Sequence, residues 1–97
     1  MKKETVKAYI NYKKDLMDYA IQVMEVCNFT QKEVAEKLNL SQGSVSLIIN
    51  TEVRRLNIEK IAEFANAVFE LQTDQFNKSQ KLLNKGIRYY GNDTNTV

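Results

Sequence analysis

The apolar residues of this chain recur every three or four positions, and the two-residue alternation that marks a strand is missing. This pattern predicts an all-α fold. A long first helix is predicted from Thr5 to Cys27, with an apolar face wider than a single core contact requires. Two adjacent stripes form that face: Ile10, Met17, Ile21 and Met24, and beside them Tyr9, Leu16, Ala20, Val23 and Cys27. The part before Lys14 is predicted to be an extension, which packs on the last helix, on a partner or only on the monomer core.

Two helix N-caps follow the first helix. Thr30 is followed three residues later by Glu33, which is the spacing of a capping box, and Ser41 repeats the N-cap. In both cases an apolar residue precedes the cap and a valine follows four residues after it, as in a hydrophobic staple. Asn39, between the two helices, tolerates the left-handed conformation that a sharp helix exit needs. The small side chain of Ala35 allows the two helices to approach closely, so the pattern predicts a helix-turn-helix.

The second of these helices has no charged residue between Ser41 and Asn50. A solvated helix face normally carries Lys and Glu, whereas these outward positions are short, neutral and able to form hydrogen bonds. Such a face suits close approach to base edges in a DNA major groove, where glutamine pairs with adenine and serine is permissive. The residues predicted to face bases are Gln42, Gly43, Ser44, Ser46 and Leu47.

A fourth helix is predicted after a polar loop at 51–56, with Asn57 as its N-cap and an end near Leu71. Its predicted core face comprises Ile58, Ile61, Ala62, Ala65, Val68 and Phe69. Phe64 and Leu71 are predicted to point to a second side of this helix.

A fifth helix is predicted over 74–90, capped by Thr73 or Asp74. Its apolar residues recur at helical spacing: Phe76, Leu83, Ile87 and Tyr90, with Leu82 alongside. Gly86 either ends this helix or lies within it. Residues 91–97 are small and polar and are predicted to form a flexible tail, so residues 1–90 are predicted to form one domain.

The segment from 30 to 50 resembles the helix-turn-helix of the lambda-repressor-like (Cro/Xre) family. The residues that carry the resemblance are Thr30-Gln31-x-Glu33-Val34-Ala35-x-Lys37-Leu38 and Leu40-Ser41-Gln42-x-x-Val45-Ser46. Asn57-Ile58-Glu59-Lys60-Ile61-Ala62 is similar to the start of that family's fourth helix. The resemblance covers residues from about 15 to 70. It implies an all-helical DNA-binding domain, usually dimeric and usually a transcriptional repressor of phage, plasmid or bacterial type.

Two positions depart from the family pattern. The family often has glycine after the second helix of the motif, where this chain has Thr51. Many members also pair an arginine of the first helix with a glutamate near the end of the third, and the matching residues here are Met24 and Ile49. Replacing both charges by apolar residues leaves no orphaned buried charge, so we predict that these two side chains touch in the core.

Composition excludes several kinds of site. The chain has no histidine and a single cysteine, which excludes a Cys/His zinc site, a Ser-His or Cys-His nucleophile pair and an internal disulfide. Its three glycines are isolated, so no phosphate-binding loop is present. Tyr89 and Tyr90 lack the basic residues and the larger scaffold that a DNA-strand-breaking tyrosine requires. We therefore predict no catalytic residue, no bound metal and no cofactor.

Compartment is predicted from the same inventory. The lone Cys27 fits a reducing cytosol and is predicted to be a small core residue. No apolar run approaches the roughly 20 residues of a membrane span, and the lysine-rich N-terminus lacks the apolar region of a signal peptide. A cytoplasmic protein without membrane contact is expected.

The net charge is only +2, which by itself is weak evidence for nucleic-acid binding. The distribution of the charges is more informative, because it suggests individual phosphate contacts. The predicted DNA-backbone contacts are Gln31, Lys32, Asn50, Arg54 and Arg55, of which the two arginines follow the predicted reading helix. Two terminal clusters are either further phosphate contacts or a solvated basic surface. They are Lys2, Lys3, Lys7, Lys13 and Lys14 and, near the other end, Lys78, Lys81, Lys85 and Arg88.

Two functional hypotheses follow. The first is a sequence-specific regulator that binds double-stranded DNA as a homodimer, with a dimer interface on the predicted fifth helix at Phe76, Leu83 and Ile87. The second is a protein-interaction module, such as an antitoxin, that binds a second protein through its first and last helices. The dependence of binding affinity on salt concentration distinguishes the two hypotheses. Phosphate contacts release counterions, so DNA affinity falls as salt rises, whereas affinity at an apolar protein interface does not.

Overall fold

The computed structural model describes the backbone of residues 2–95 and the side chains of residues 2–85. Within this range the chain is all helical and has no strand. Its elements are α1 (Lys3–Val26), α2 (Gln31–Leu38), α3 (Gln42–Asn50), a short 3-10 turn (Val53–Arg55) and α4 (Ile58–Asn95). The predicted all-α fold is confirmed, and α2 and α3 occupy the segment predicted to be a helix-turn-helix.

The turn between α2 and α3 is closed by a left-handed asparagine. Asn39 has φ 58° and ψ 42°, and its amide donates to the carbonyl of Glu36 at 3.2 Å. The amide of Leu40 donates to the carbonyl of Ala35 at 2.9 Å. These two bonds form a Schellman motif, which satisfies the last carbonyls of α2. Asn28, with φ 61°, ends α1 with the same pattern of bonds.

Each following helix begins with the predicted cap. Thr30 Oγ1 accepts a hydrogen bond from the Glu33 amide at 3.1 Å, and the Thr30 amide donates to Glu33 Oε1 at 2.9 Å. The capping box is therefore confirmed. Ser41 Oγ accepts from the amide three residues on at 3.1 Å, and Asn57 Oδ1 does the same at 2.7 Å. Between α2 and α3, the three residues from Asn39 to Ser41 are therefore enough to end one helix and begin the next.

The core is formed where α1 and α2 pack on the first half of α4 and α3 packs on α2. Its largest fully buried side chains are Phe64, Ile61, Val34, Val45 and Val68. Phe64 was predicted to point to a second side of α4 and instead lies at the centre, whereas Ala62 was predicted to be core and is exposed. Both α1 and α2 pack on α4, so its buried arc is wide enough to include Phe64 and Ala67. Met24 is buried and Ile49 is half-buried against the same core, and their mutual contact stays a prediction.

The fourth and fifth predicted helices form one continuous helix, so the predicted break before residue 74 is wrong. Thr73 Oγ1 donates to the carbonyl of Phe69 at 3.0 Å, inside the helix rather than at an N-cap. Asp74 accepts from Lys37 Nζ of α2 at 2.8 Å. Neither residue caps a helix, and no proline or glycine occurs between residues 58 and 85 to stop one. α4 passes Gly86 and reaches Asn95, while residues 96 and 97 of the predicted tail lie outside the described range.

α4 extends well past the rest of the fold. Its 38 residues span about 57 Å at about 1.5 Å per residue. α1 ends beside Gln75, whose Nε2 donates to the carbonyl of Cys27 at 3.4 Å. From Gln72 to Lys85 every residue is exposed. No helix in the described part of the chain is both long and apolar enough to cross a membrane.

We expect Asn39→Ala to lower the free energy of unfolding by about 1 kcal/mol, because alanine resists the left-handed conformation. Asn39→Gly should leave it nearly unchanged, since glycine adopts that conformation readily. Urea unfolding measures both variants. Asn77→Ala, at an exposed helical position, is the control and should not destabilise. Equal stability of Asn39→Ala and Asn39→Gly would contradict the assigned turn.

Candidate nucleic-acid interface

α3 buries one side and exposes the other. Val45 and Ile48 point into the core, and at about 100° per residue the opposite side of the helix spans an arc of about 140°. That arc contains Gln42, Gly43, Ser46, Leu47 and Asn50. Four of the five predicted base-facing residues therefore share one face with a predicted backbone contact. Ser44, the fifth, lies off this arc and is half-buried.

Gln42 is exposed at the first helical position of α3. The preceding Ser41 caps the helix, so the backbone that carries Gln42 is held in place before any ligand arrives. The glutamine amide offers both a donor and an acceptor. This geometry is compatible with a bidentate contact to a base edge.

Gly43 has no structural reason to be glycine. A Cβ built on it meets only Ser41 Oγ, at the ordinary contact distance of 3.9 Å, and its φ is not positive. Glycine in a helix is less favourable than alanine. The missing side chain therefore leaves space on the outer face of α3 that the fold itself does not use.

The remaining polar side chains of α3 are tied to one another. Ser44 Oγ lies 2.9 Å from Ser41 Oγ, at the capped end. Asn50 Nδ2 donates to the carbonyl of Ser46 at 2.8 Å and to its Oγ at 3.2 Å. Ser44 is thus part of the cap, whereas the half-buried Ser46 and the exposed Asn50 form a hydrogen-bonded pair on the outer side of α3.

Leu47 is 69% exposed on the same face. It borders a groove of about 280 Å³ between α3 and the beginning of α4, together with Ser44 and Lys60. Lys60 is an exposed cation near the outer face of α3 that the sequence analysis did not single out. The sequence signal that could have identified Lys60 is its position in the first turn of the predicted fourth helix, three residues after the Asn57 N-cap.

The two arginines follow α3 in the 3-10 turn. Both are exposed, and Arg54 Nε donates to Glu52 Oε2 at 3.1 Å in a solvated ion pair. Thr51 ends α3 in an extended conformation, φ −89° and ψ 138°, and its hydroxyl donates to the carbonyl of Leu47. No left-handed residue is needed there, which explains why threonine can stand where the resembled family often has glycine.

At the other end of the motif, Gln31 is half-buried and Lys32 is exposed in the first turn of α2. Lys13, assigned to a basic terminal cluster from the sequence, is instead only 5% exposed. It donates to the carbonyl of Leu56 at 2.7 Å. No sequence signal pointed to this contact, because its partner lies 43 residues away along the chain.

Away from α3, Lys37 of α2 forms ion pairs with acidic residues of α4. The Asp74 carboxylate accepts a hydrogen bond from Lys37 and so holds the pKa of that amine above its ordinary value, with Glu70 at 3.9 Å adding to the effect. In the described part of the chain, no three Asp, Glu, Cys or His side chains are arranged to hold a metal ion.

What the α3 face can do chemically is form hydrogen bonds and van der Waals contacts.

The predicted dimer residues lie on the part of α4 from Gln72 onwards, which is called the projecting half because α1 ends beside its beginning. Phe76 and Leu83 are 60% and 57% exposed, and the side chain of Ile87 lies outside the described residues. Tyr19 and Phe69 meet edge to face just before this half, with ring centroids 5.7 Å apart.

Comparison with protein families identifies a match over most of the described core. The family described as a helix-turn-helix domain matches residues 3–69. This span contains α1, both helices of the motif and the buried first part of α4. No curated protein and no solved structure matches the chain.

We expect Gly43→Ala to raise the free energy of unfolding by up to about 1 kcal/mol, since the added methyl group meets no clash and alanine favours the helix. Thermal or urea unfolding measures the change. Ser41→Ala is the opposing variant and should cost about 1 kcal/mol by removing the cap. A destabilised Gly43→Ala would contradict the open space at this position.

Proposed function

Because the chain belongs to the helix-turn-helix domain family, a class of DNA-binding regulator, we propose that it is a sequence-specific repressor that binds double-stranded DNA as a homodimer. The observation that carries the proposal is the uncharged, exposed face of α3, held at its N-terminal end by Ser41. The phage, plasmid or bacterial type of repressor is proposed from the resemblance to the lambda-repressor-like proteins. Such a protein represses by occupying its operator against polymerase.

Base contact is assigned to the open part of the α3 face. Gln42 offers a donor and an acceptor to adenine N7 and N6, and Leu47 offers an apolar surface to a thymine methyl group. Gly43 lets the groove wall approach the helix closely. Ser46 joins them through its pair with Asn50, while Ser44 contributes by completing the cap.

Phosphate contact is assigned to the ends of the motif. Lys32 and Gln31 stand at the beginning of α2, and Arg54 and Arg55 stand just after α3, so the two pairs flank the reading helix along the chain. Such contacts set register and supply affinity with little sequence information. The Arg54–Glu52 pair is solvated and worth at most about 1 kcal/mol, so a phosphate can replace the carboxylate.

Dimerisation is assigned to the projecting half of α4. Phe69, Phe76 and Leu83 are seven residues apart, which is nearly two helical turns, so they lie on one side of the helix. Phe69 packs on Tyr19 of the same chain, whereas Phe76 and Leu83 continue that side beyond the end of α1 and are exposed. Isolated helices are marginally stable in water without tertiary packing. A second copy supplies that packing.

The charges of this half of α4 support the same assignment. Lys78 and Lys85 follow Phe76 and Leu83 by two residues, which places them about 200° around the helix. The apolar side is therefore free of charge, as the centre of a protein interface usually is. A two-fold dimer also matches the need to read two half-sites about 34–36 Å apart.

Selection of bound sites from random duplex DNA tests the proposal. A pseudo-palindromic consensus is expected, because a two-fold dimer reads the same half-site twice. No enrichment at low salt would refute DNA binding. Partner capture that is insensitive to salt would then favour the protein-interaction hypothesis.

Gln42→Ala should weaken binding to the selected operator by about 1–3 kcal/mol and binding to a scrambled duplex much less. Arg54→Ala should weaken both by similar factors and lower the salt slope by about one unit. Titration of both duplexes across a salt series measures these effects. If Gln42→Ala lowers both affinities equally, Gln42 does not contact a base. If it changes neither, α3 is not the reading helix.

Leu83→Glu should raise the dimer dissociation constant by about 30-fold or more, as expected for a buried interface residue worth about 2 kcal/mol. Asn77→Glu is the matched control: it adds the same charge about 100° away from Phe76 and should leave the dimer intact. Sedimentation equilibrium measures both. A wild-type chain that stays monomeric at high micromolar concentration, with and without DNA, would contradict the assigned interface.

A further inference from the structure

Lys13 of α1 is the one buried charged side chain among the described residues, with 5% of its surface exposed. Lysine is almost never buried unless its ammonium group has partners. Here Nζ donates to the carbonyl of Leu56 at 2.7 Å and lies 3.5 Å from the carbonyl of Arg54. The ring of Tyr9, one turn earlier on α1, faces the ammonium with its centroid 5.1 Å away.

The two carbonyls lie at the C-terminal end of the 3-10 turn: Arg54 is within the turn, and Leu56 is the residue that directly follows it. The last carbonyls of a helical turn lack partners within it and carry its partial negative charge. The turn's own backbone bonds are few: the Arg55 amide donates to Glu52 at 2.9 Å and the Leu56 amide to Val53 at 3.1 Å. None of the ion pairs among the described residues involves Lys13. Its partners are therefore the backbone of this turn and one aromatic ring.

Packing alone does not call for a lysine at this place. Moving an ammonium group out of water costs free energy, and an apolar side chain of similar length fills the same volume without that cost. What a lysine adds is a directed bond to the backbone. That bond fixes the turn to α1, the helix that packs against α4 in the core.

We propose that Lys13 is a positioning residue for DNA binding. It holds the backbone of the turn so that Arg54 and Arg55, both exposed, meet the phosphates in a fixed relation to α3. Lys13 itself touches no DNA, because its ammonium is buried. This inference rests on the proposed DNA-binding function and goes beyond it by assigning a residue that acts through the two arginines.

The test compares Lys13→Met with Lys37→Met. Both remove one positive charge, but Lys37 is an exposed residue of α2 that pairs with Asp74. Lys13→Met should weaken operator binding about tenfold and lower the slope of log K against log salt by about one unit, as the loss of one phosphate contact does. Lys37→Met should change affinity less than twofold. Lys13→Arg keeps a donor and should retain the wild-type slope.

A double-mutant cycle decides whether Lys13 acts through the arginines. In an Arg54→Ala/Arg55→Ala background, Lys13→Met should have no further effect on affinity. A purely structural role, or a direct phosphate contact, would give the same tenfold loss in both backgrounds and overturn the proposal. If Lys13→Met does not fold, Lys13→Gln, which is too short to reach the carbonyl of Leu56, is used in the same cycle.

Amide hydrogen exchange separates this inference from the proposed function, because it needs no DNA. Lys13→Met should speed exchange of the Arg55 and Leu56 amides and leave those of α3 unchanged. Unchanged exchange at these two amides, with wild-type affinity and slope, would refute the inference while DNA binding stands. Faster exchange in a chain that binds no duplex would refute the proposed function and the positioning role together, leaving only a structural tether.

Discussion

The fold depends on closing one helix and opening the next within three residues. Asn39, Leu40 and Ser41 do this between α2 and α3: a left-handed residue, an apolar residue and a side-chain cap. The left-handed conformation turns the chain sharply, and the Schellman bonds and the cap satisfy backbone groups that would otherwise be orphaned. The same order at Asn28, Phe29 and Thr30 joins α1 to α2. Because both turns are tight, α2 and α3 stay close and the outer face of α3 is left open.

This constraint also divides the polar residues of α3 by role. The cap at Ser41 engages Ser44, and Asn50 engages Ser46. The side chains that remain open are Gln42 and Leu47, with Gly43 between them offering clearance. The hydrogen bonds at Ser41 and Asn50 order the backbone and the polar pair of this face, and a preorganised surface loses less entropy on association.

α4 has two parts with different tasks. Its first half supplies Phe64, Ile61 and Val68 to the core, and its second half continues the helix past the end of α1. The link between them is mechanical, because an unbroken helix transmits orientation along its length. A dimer made through the second half would therefore fix the separation and angle of the two α3 helices.

Local chemistry determined most of what the sequence by itself could predict. Caps, staples and left-handed asparagines act between residues a few positions apart, so the three helix beginnings at Thr30, Ser41 and Asn57 and the helix-turn-helix follow from the sequence alone. The open face of α3 follows too, because helical spacing and the absence of charge are local properties.

Contacts distant along the chain were decided by the tertiary structure. Thr73 and Asp74 have the chemistry of N-caps, but neither caps a helix here: the Asp74 carboxylate accepts from Lys37 of α2, and the Thr73 hydroxyl donates to the carbonyl of Phe69 within α4. Phe64 is central because two helices, α1 and α2, both pack on α4. Lys13 looks like a surface lysine until the fold brings the carbonyl of Leu56 to its ammonium. The roles of Asp74, Phe64 and Lys13 depend on a partner more than 30 residues away or on the packing of whole helices, and no local spacing encodes them.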